Sequence, residues 1–171
     1  MLASVDMPLV AEEIVEYAFK GRQNRTKPFK EGRFGDGTMG VYYSAIDEVT
    51  CEKEIAFHVG EEVNELPREQ FPHLRHYSLI NCQYSGRTAD LRGKESQYLE
   101  LTSESKSGYP FCQSLGLRAV ENGIDGFFTP SARHAGGTCV PVFERTALSK
   151  PRITNAVTLK VTSKGLEFKR K

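Results

Sequence analysis

Three polar side chains stand where a plain core has no use for them: Arg33, Glu54 and Ser131. Arg33 lies in the run Glu-Gly-Arg-Phe-Gly-Asp-Gly-Thr-Met-Gly, residues 31–40, directly ahead of the apolar Val41-Tyr42-Tyr43. An arginine in a glycine turn can fork onto a phosphate while main-chain amides add donors. Tyr43, on the segment that follows, can offer a flat face to a heteroaromatic ring. Taken singly, each also fits a plainer part, Arg33 as a solvated turn residue and Tyr43 as core.

Glu54 sits one residue before Ile55 and three after Cys51, at the edge of an apolar helical stripe, with His58 four residues on. An acid at that edge is either an interface charge paired with a neighbour, such as His58 at i+4, or a catalytic carboxylate. Ser131 lies in Thr-Pro-Ser-Ala-Arg-His-Ala-Gly-Gly, residues 129–137. A serine nucleophile needs a histidine base and commonly a third group. His134 is near in sequence, but the G-x-S-x-G elbow is absent, which argues against a serine hydrolase. Ser131 is better suited to hydrogen-bond a ligand, or to serve as an ordinary turn residue.

Gly35-x-Gly37-x-x-Gly40 has the spacing of a dinucleotide-binding fingerprint. That fingerprint has meaning only after a buried strand and before a helix. Here the preceding residues are polar and basic, and the following Val41–Ala45 reads as a strand, so the Rossmann reading fails. What remains is a tight turn with a bare, approachable backbone.

The elements that must position these residues alternate irregularly. A short amphipathic helix is expected over 8–19, started by Asp6-Met7-Pro8. Loop 20–40 leads to strand 41–45. Asp47 caps a helix with Cys51, Ile55 and Val59 on its apolar stripe and Gly60 at its end. Residues 61–75 read as a charged surface loop interrupted by Pro67 and Pro72. A strand follows over Tyr77–Gln83, and then a polar stretch. Gly108-Tyr109-Pro110 opens a helix that Asn122-Gly123 closes. Short strands are expected over 124–129, 138–143, 156–161 and 166–169, the last two joined as a hairpin through residues 162–165. Few helices and many short strands make this α+β, with mixed small sheets.

Length and composition narrow the function. One chain of 171 residues is one domain, 1–171, with neither repeat nor linker. A net charge of +1 points neither to nucleic acid nor to a membrane, and Lys169-Arg170-Lys171 reads as a solvated end. A transmembrane run and a signal peptide are both absent from the expectation. Cys51, Cys82, Cys112 and Cys139 lie far apart, form no C-x-x-C pair and complete no zinc spacing with the histidines. They read as small buried hydrophobes in a reducing compartment, the cytoplasm, and no metal is expected.

Taken together and in order, the three segments resemble the RES domain, the toxin half of a bacterial toxin–antitoxin pair, named for an arginine, a glutamate and a serine. A related first block reads S-R-F-S-D-G-S-F-G-V-Y-Y-A-A; here residues 32–45 read G-R-F-G-D-G-T-M-G-V-Y-Y-S-A. The second, T-A-I-A-E-T-x-x-H, is matched by T-C-E-K-E-I-A-F-H, residues 50–58. The third, G-x-D-G-I-x-Y-P-S-x-R-H-P-G-G-x-C-V-A-x-F, is matched by G-I-D-G-F-F-T-P-S-A-R-H-A-G-G-T-C-V-P-V-F, residues 123–143. Three departures stand out. Thr129 replaces a frequent tyrosine, Ala135 a frequent proline, and Cys139 an asparagine of many members. Thr129 and Ala135 bear on packing, and Cys139 on substrate handling.

The resemblance implies a fold like that of ADP-ribosyltransferases, clasping NAD as substrate between small sheets. It implies cleavage of the nicotinamide–ribose bond by water or phosphate, or transfer of ADP-ribose to a protein. It also implies a cognate antitoxin with a helix-turn-helix domain of the Xre type, and leaves the oligomeric state open, a homodimer included. In this picture Glu54 stabilises the oxocarbenium-like ribose, Arg33 clamps a phosphate, Tyr43 stacks on nicotinamide and Ser131 bonds the carboxamide or a ribose hydroxyl. Whether Arg22 or Arg25 joins the site stays open. The competing reading is a module that binds a nucleotide or partner without turnover; retention of Arg33, Glu54 and Ser131 together speaks against it.

Overall fold

The computed structural model describes residues 11–63, 72–162 and 165–170. In chain order come helix α1 (Ala11–Tyr17), strand β1 (Tyr42–Ala45), helix α2 (Glu48–Val63) and strands β2 (His73–Tyr84) and β3 (Thr88–Asp90). Helix α3 (Tyr109–Glu121) follows, and then β4 (Gly126–Pro130), β5 (Thr138–Val142), β6 (Leu148–Thr162) and β7 (Gly165–Arg170). The class is α+β, with two small sheets. One has the order β1-β5-β4-β3, the other β2-β6-β7. All pairings are antiparallel except β3 with β4, whose connection carries α3.

Successive residues of a strand face opposite sides of its sheet, so β4 and β5 feed two cores at once. On one side Val140 and Val142 pack with Val15 of α1 and Leu148 at the start of β6, which joins the sheets. On the other side Phe127 packs with Phe34, Leu101, Cys112 and Ala119. Helix α2 lies on the second sheet through Val59, Leu159 and Val161. Helix α2, which carries Glu54, also contacts β1 and β5 of the first sheet.

The expected elements are present, with longer or shifted ends. Helix 8–19 is seen as Ala11–Tyr17, and its expected start lies outside the described residues. Helix α2 does not end at Gly60 but runs on to Val63, because Gly60 packs in a helical conformation against β7, with Leu166 3.9 Å from where its Cβ would stand. Strand β2 begins at His73, inside the stretch expected as loop, and the rest of that stretch from 64 to 71 lies outside the described residues. Strand β6 begins eight residues before the expected Ala156. Its first half is mostly exposed on both faces, so no apolar alternation marks it. Strand β3 has only three residues, Thr-Ala-Asp, too short and polar to show a period. Residues 163 and 164 of the expected hairpin are outside the described residues, but the register Thr162↔Gly165 closes it. Gly123 takes φ 67°, as the cap after Asn122 requires.

The glycine loop is held by packing. Helix α3 rests on it so closely that a Cβ on Gly116 would lie 2.0 Å from the Phe34 carbonyl oxygen. The backbone expected to be bare is already approached by the protein itself: Val41 lies against Gly35, and the Ala18 carbonyl against Gly40. Gly35 and Gly40 thus reflect close contacts, while Gly37 takes φ 93°, a turn conformation that favours glycine.

Candidate active site

Glu54 and Ser131, 77 residues apart, meet directly. The Ser131 hydroxyl donates to Glu54 Oε1 at 2.6 Å. The acceptor side of the same hydroxyl takes the main-chain N–H groups of Arg133 at 3.1 Å and His134 at 3.0 Å. Ser131 is 7% exposed, and its bonding is complete. Its hydrogen goes to the carboxylate, so its place is to orient Glu54. Cys139 adds a second donor, Sγ to Glu54 Oε1 at 3.4 Å. Burial, reinforced by the charge of Glu54, pushes the Cys139 thiol up to about 12. It therefore stays protonated at neutral pH and can donate.

Sheet geometry explains the meeting. Cys139 pairs with both Ala45 of β1 and Thr129 of β4. Directly paired residues share a face, so Thr129, Cys139 and Ala45 point the same way, with Tyr43 two residues from Ala45 on that face. Tyr43 pairs with Pro141, so its Cα lies diagonally about 7–8 Å from that of Cys139.

Tyr43 is 47% exposed, yet its phenol end is enclosed. The hydroxyl oxygen accepts the Phe34 N–H at 2.9 Å. Gly32 lies so close to the ring that a Cβ there would approach the hydroxyl to 2.5 Å. Burial of that end holds the phenol well above the ordinary tyrosine range. The exposed part is the ring, anchored at its tip.

Arg33 stands between the two residues that hold Tyr43, Gly32 and Phe34. Its guanidinium donates to the Glu100 carbonyl at 2.9 Å and to that of Ser103 at 2.7 Å. It also lies 5.2 Å from the centroid of the Tyr109 ring. Two of its five N–H groups thus tie down the segment ahead of α3, and the fork is not free in the way a solvated turn residue would be. Arg22 and Arg25 are exposed on the loop after α1.

Further residues complete the arrangement. Asp47 caps α2, its Oδ1 accepting the Thr50 N–H at 2.8 Å. Its Oδ2 accepts the Thr50 hydroxyl at 2.8 Å, and the Thr50 oxygen in turn lies 2.9 Å from His134 Nδ1. These bonds hold the Asp47 carboxyl below its usual range, with the two from Thr50 dominant. Arg133 lies 3.3 Å from the centroid of Phe57 and donates to the Glu104 carbonyl. The Thr129 hydroxyl is buried with no hydrogen-bond partner among the described residues. Thr50, Tyr109 and Arg133 were not singled out as site candidates, because each is tied to the site by a contact remote in the chain.

The RES domain family matches residues 11–162, most of the chain. The protein belongs to the RES domain family. The matched span includes Arg33, Glu54 and Ser131. Glu54 and Ser131 are in direct contact, and Arg33 lies in the chain between Gly32 and Phe34, the two residues that close on the Tyr43 hydroxyl. No curated protein sequence matches the chain. Among the described residues, no helix is long and apolar enough to cross a membrane.

Proposed function

We propose that this protein is a toxin that cleaves the nicotinamide–ribose bond of NAD, releasing nicotinamide. The observation that carries the reading is the Glu54 carboxylate, fixed through Oε1 by Ser131 and Cys139, on the sheet face that presents the tip-anchored ring of Tyr43. Breaking the glycosidic bond places positive charge on the ribose, as in glycoside cleavage. A preorganised carboxylate stabilises that charge without reorganising as it develops. Because both bonds to Glu54 end on Oε1, Oε2 is the oxygen available to a ribose hydroxyl or to the incoming nucleophile.

Tyr43 supplies the flat face for nicotinamide. Its hydroxyl oxygen is anchored by the Phe34 N–H and burial holds the phenol well above the ordinary tyrosine range, so the ring stacks and the phenol keeps its proton. Arg33 keeps further N–H groups for a phosphate while two hold the loop of Glu100 and Ser103 in place. The acceptor is water or phosphate. Transfer of ADP-ribose to a protein would use the same residues. A cognate antitoxin with a helix-turn-helix domain of the Xre type would restrain the activity in the cytoplasm.

The experiment is to incubate purified protein with NAD, with and without phosphate, and follow nicotinamide release. Release that rises with phosphate names phosphorolysis; equal release names hydrolysis. No release in either case counts against the proposal.

A further inference from the structure

The turn that holds Ser131 is tied to helix α2 by a chain of three side chains outside the family's named trio. Asp47 is the N-cap of α2, Thr50 lies in its first turn, and His134 lies in the Ser131 turn. Thr50 is fully buried, so its hydroxyl must be satisfied within the protein. It has one hydrogen. The Asp47 carboxylate can only accept, so that hydrogen goes to Asp47 Oδ2. The Thr50 oxygen, 2.9 Å from His134 Nδ1, must then accept from it. Nδ1 therefore carries a hydrogen, and in the neutral ring Nε2 carries a lone pair and none. Gly137 leaves the room this needs, since a Cβ there would lie 2.5 Å from the Thr50 hydroxyl oxygen and 2.8 Å from Nδ1.

We propose that His134 is a further positioning residue of the site, held as the Nδ1–H tautomer by Asp47 and Thr50. The imidazole joins the start of the Glu54 helix to the turn whose main-chain N–H groups fix Ser131. Both ends of the Glu54–Ser131 bond thus hang on one relay. Any ligand group that meets Nε2 has to bring its own hydrogen, as a hydroxyl, a water or an amide does, and a carbonyl is disfavoured. The effect on rate rests on the proposed NAD cleavage; the tautomer does not.

The test is nuclear magnetic resonance of the full chain labelled with 15N-histidine, at a pH where imidazole is neutral, with His134 assigned by its loss in His134→Asn. The expected spectrum shows His134 as the Nδ1–H tautomer in the wild type and in Thr50→Ser. Thr50→Val is expected to lose that tautomer. It is also expected to lower kcat for nicotinamide release about tenfold, the scale of one such hydrogen bond, with KM for NAD nearly unchanged. Thr50→Ser restores both. A wild-type His134 protonated on Nε2 overturns the inference, as does a folded Thr50→Val with unchanged tautomer and kcat. If the wild type releases no nicotinamide, the functional proposal fails while the wild-type spectrum still decides the tautomer.

Discussion

Ser131 and Glu54 share a hydrogen bond of 2.6 Å in which every bonding position of the serine hydroxyl is used. The serine is a fixture of the carboxylate.

Ser131→Ala removes a donor to a charged group and strips the N–H groups of Arg133 and His134 of their acceptor. A hydrogen bond to a charge contributes about 1.5–3 kcal/mol, so kcat for nicotinamide release should fall about 10- to 100-fold. Steady-state kinetics checks this. A variant with unchanged kcat would show that Glu54 needs no such orientation.

Tyr43→Phe keeps the ring and deprives the Phe34 N–H of its partner, a loss of about 1–3 kcal/mol of stability. Activity should survive. Tyr43→Leu removes the aromatic face and should raise KM for NAD about tenfold. Paired denaturant unfolding and kinetic measurements separate the two effects. Equal activity in both variants would remove Tyr43 from the ligand site.

The Asp47 carboxyl is held below its ordinary 3.8 by its bonds to Thr50. A depressed folded pKa means that the unfolded chain takes up its proton first as pH falls. The contribution is therefore full above about pH 4 and is lost as pH falls from 3.8 through the folded value. Asp47→Asn should flatten this part of the acid limb. Urea midpoints between pH 5 and pH 2 check it, and an unchanged limb would contradict it.

The fold class and the elements that carry or flank Glu54 and Ser131 could be read from the sequence, because each depends on local pattern. The Val140 and Val142 alternation marks β5, Asp47 marks the start of α2, and Asn122-Gly123 marks the end of α3. What could not be read is what depends on partners far along the chain. Arg33 looked like a free phosphate clamp, yet two of its donors serve carbonyls 67 and 70 residues away. Glu54 has His58 at i+4, while the hydrogen bonds it accepts come from Ser131 and Cys139. The long β2–β6 ribbon escaped because half of β6 is exposed, so no apolar alternation marked its true length.

Thr129 presents the reverse case, a buried hydroxyl, 1% exposed, with no partner among the described residues. Replacing an unsatisfied hydroxyl by an apolar group of the same shape removes a desolvation penalty of about 1–3 kcal/mol. Thr129→Val should raise the thermal midpoint without loss of fold. A lowered midpoint would mean that an ordered water or a ligand group satisfies this hydroxyl, next to Cys139 in the register.

The most direct measurement is nicotinamide release from NAD by the wild type and by Glu54→Gln at equal concentration. The amide keeps the size of the side chain and an acceptor for Ser131, and removes the charge that would face the ribose. The account predicts steady release by the wild type and a loss of about 10²–10⁴-fold in Glu54→Gln, the range of a positioned acid or base. Equal release by both proteins, or none from the wild type, would contradict it.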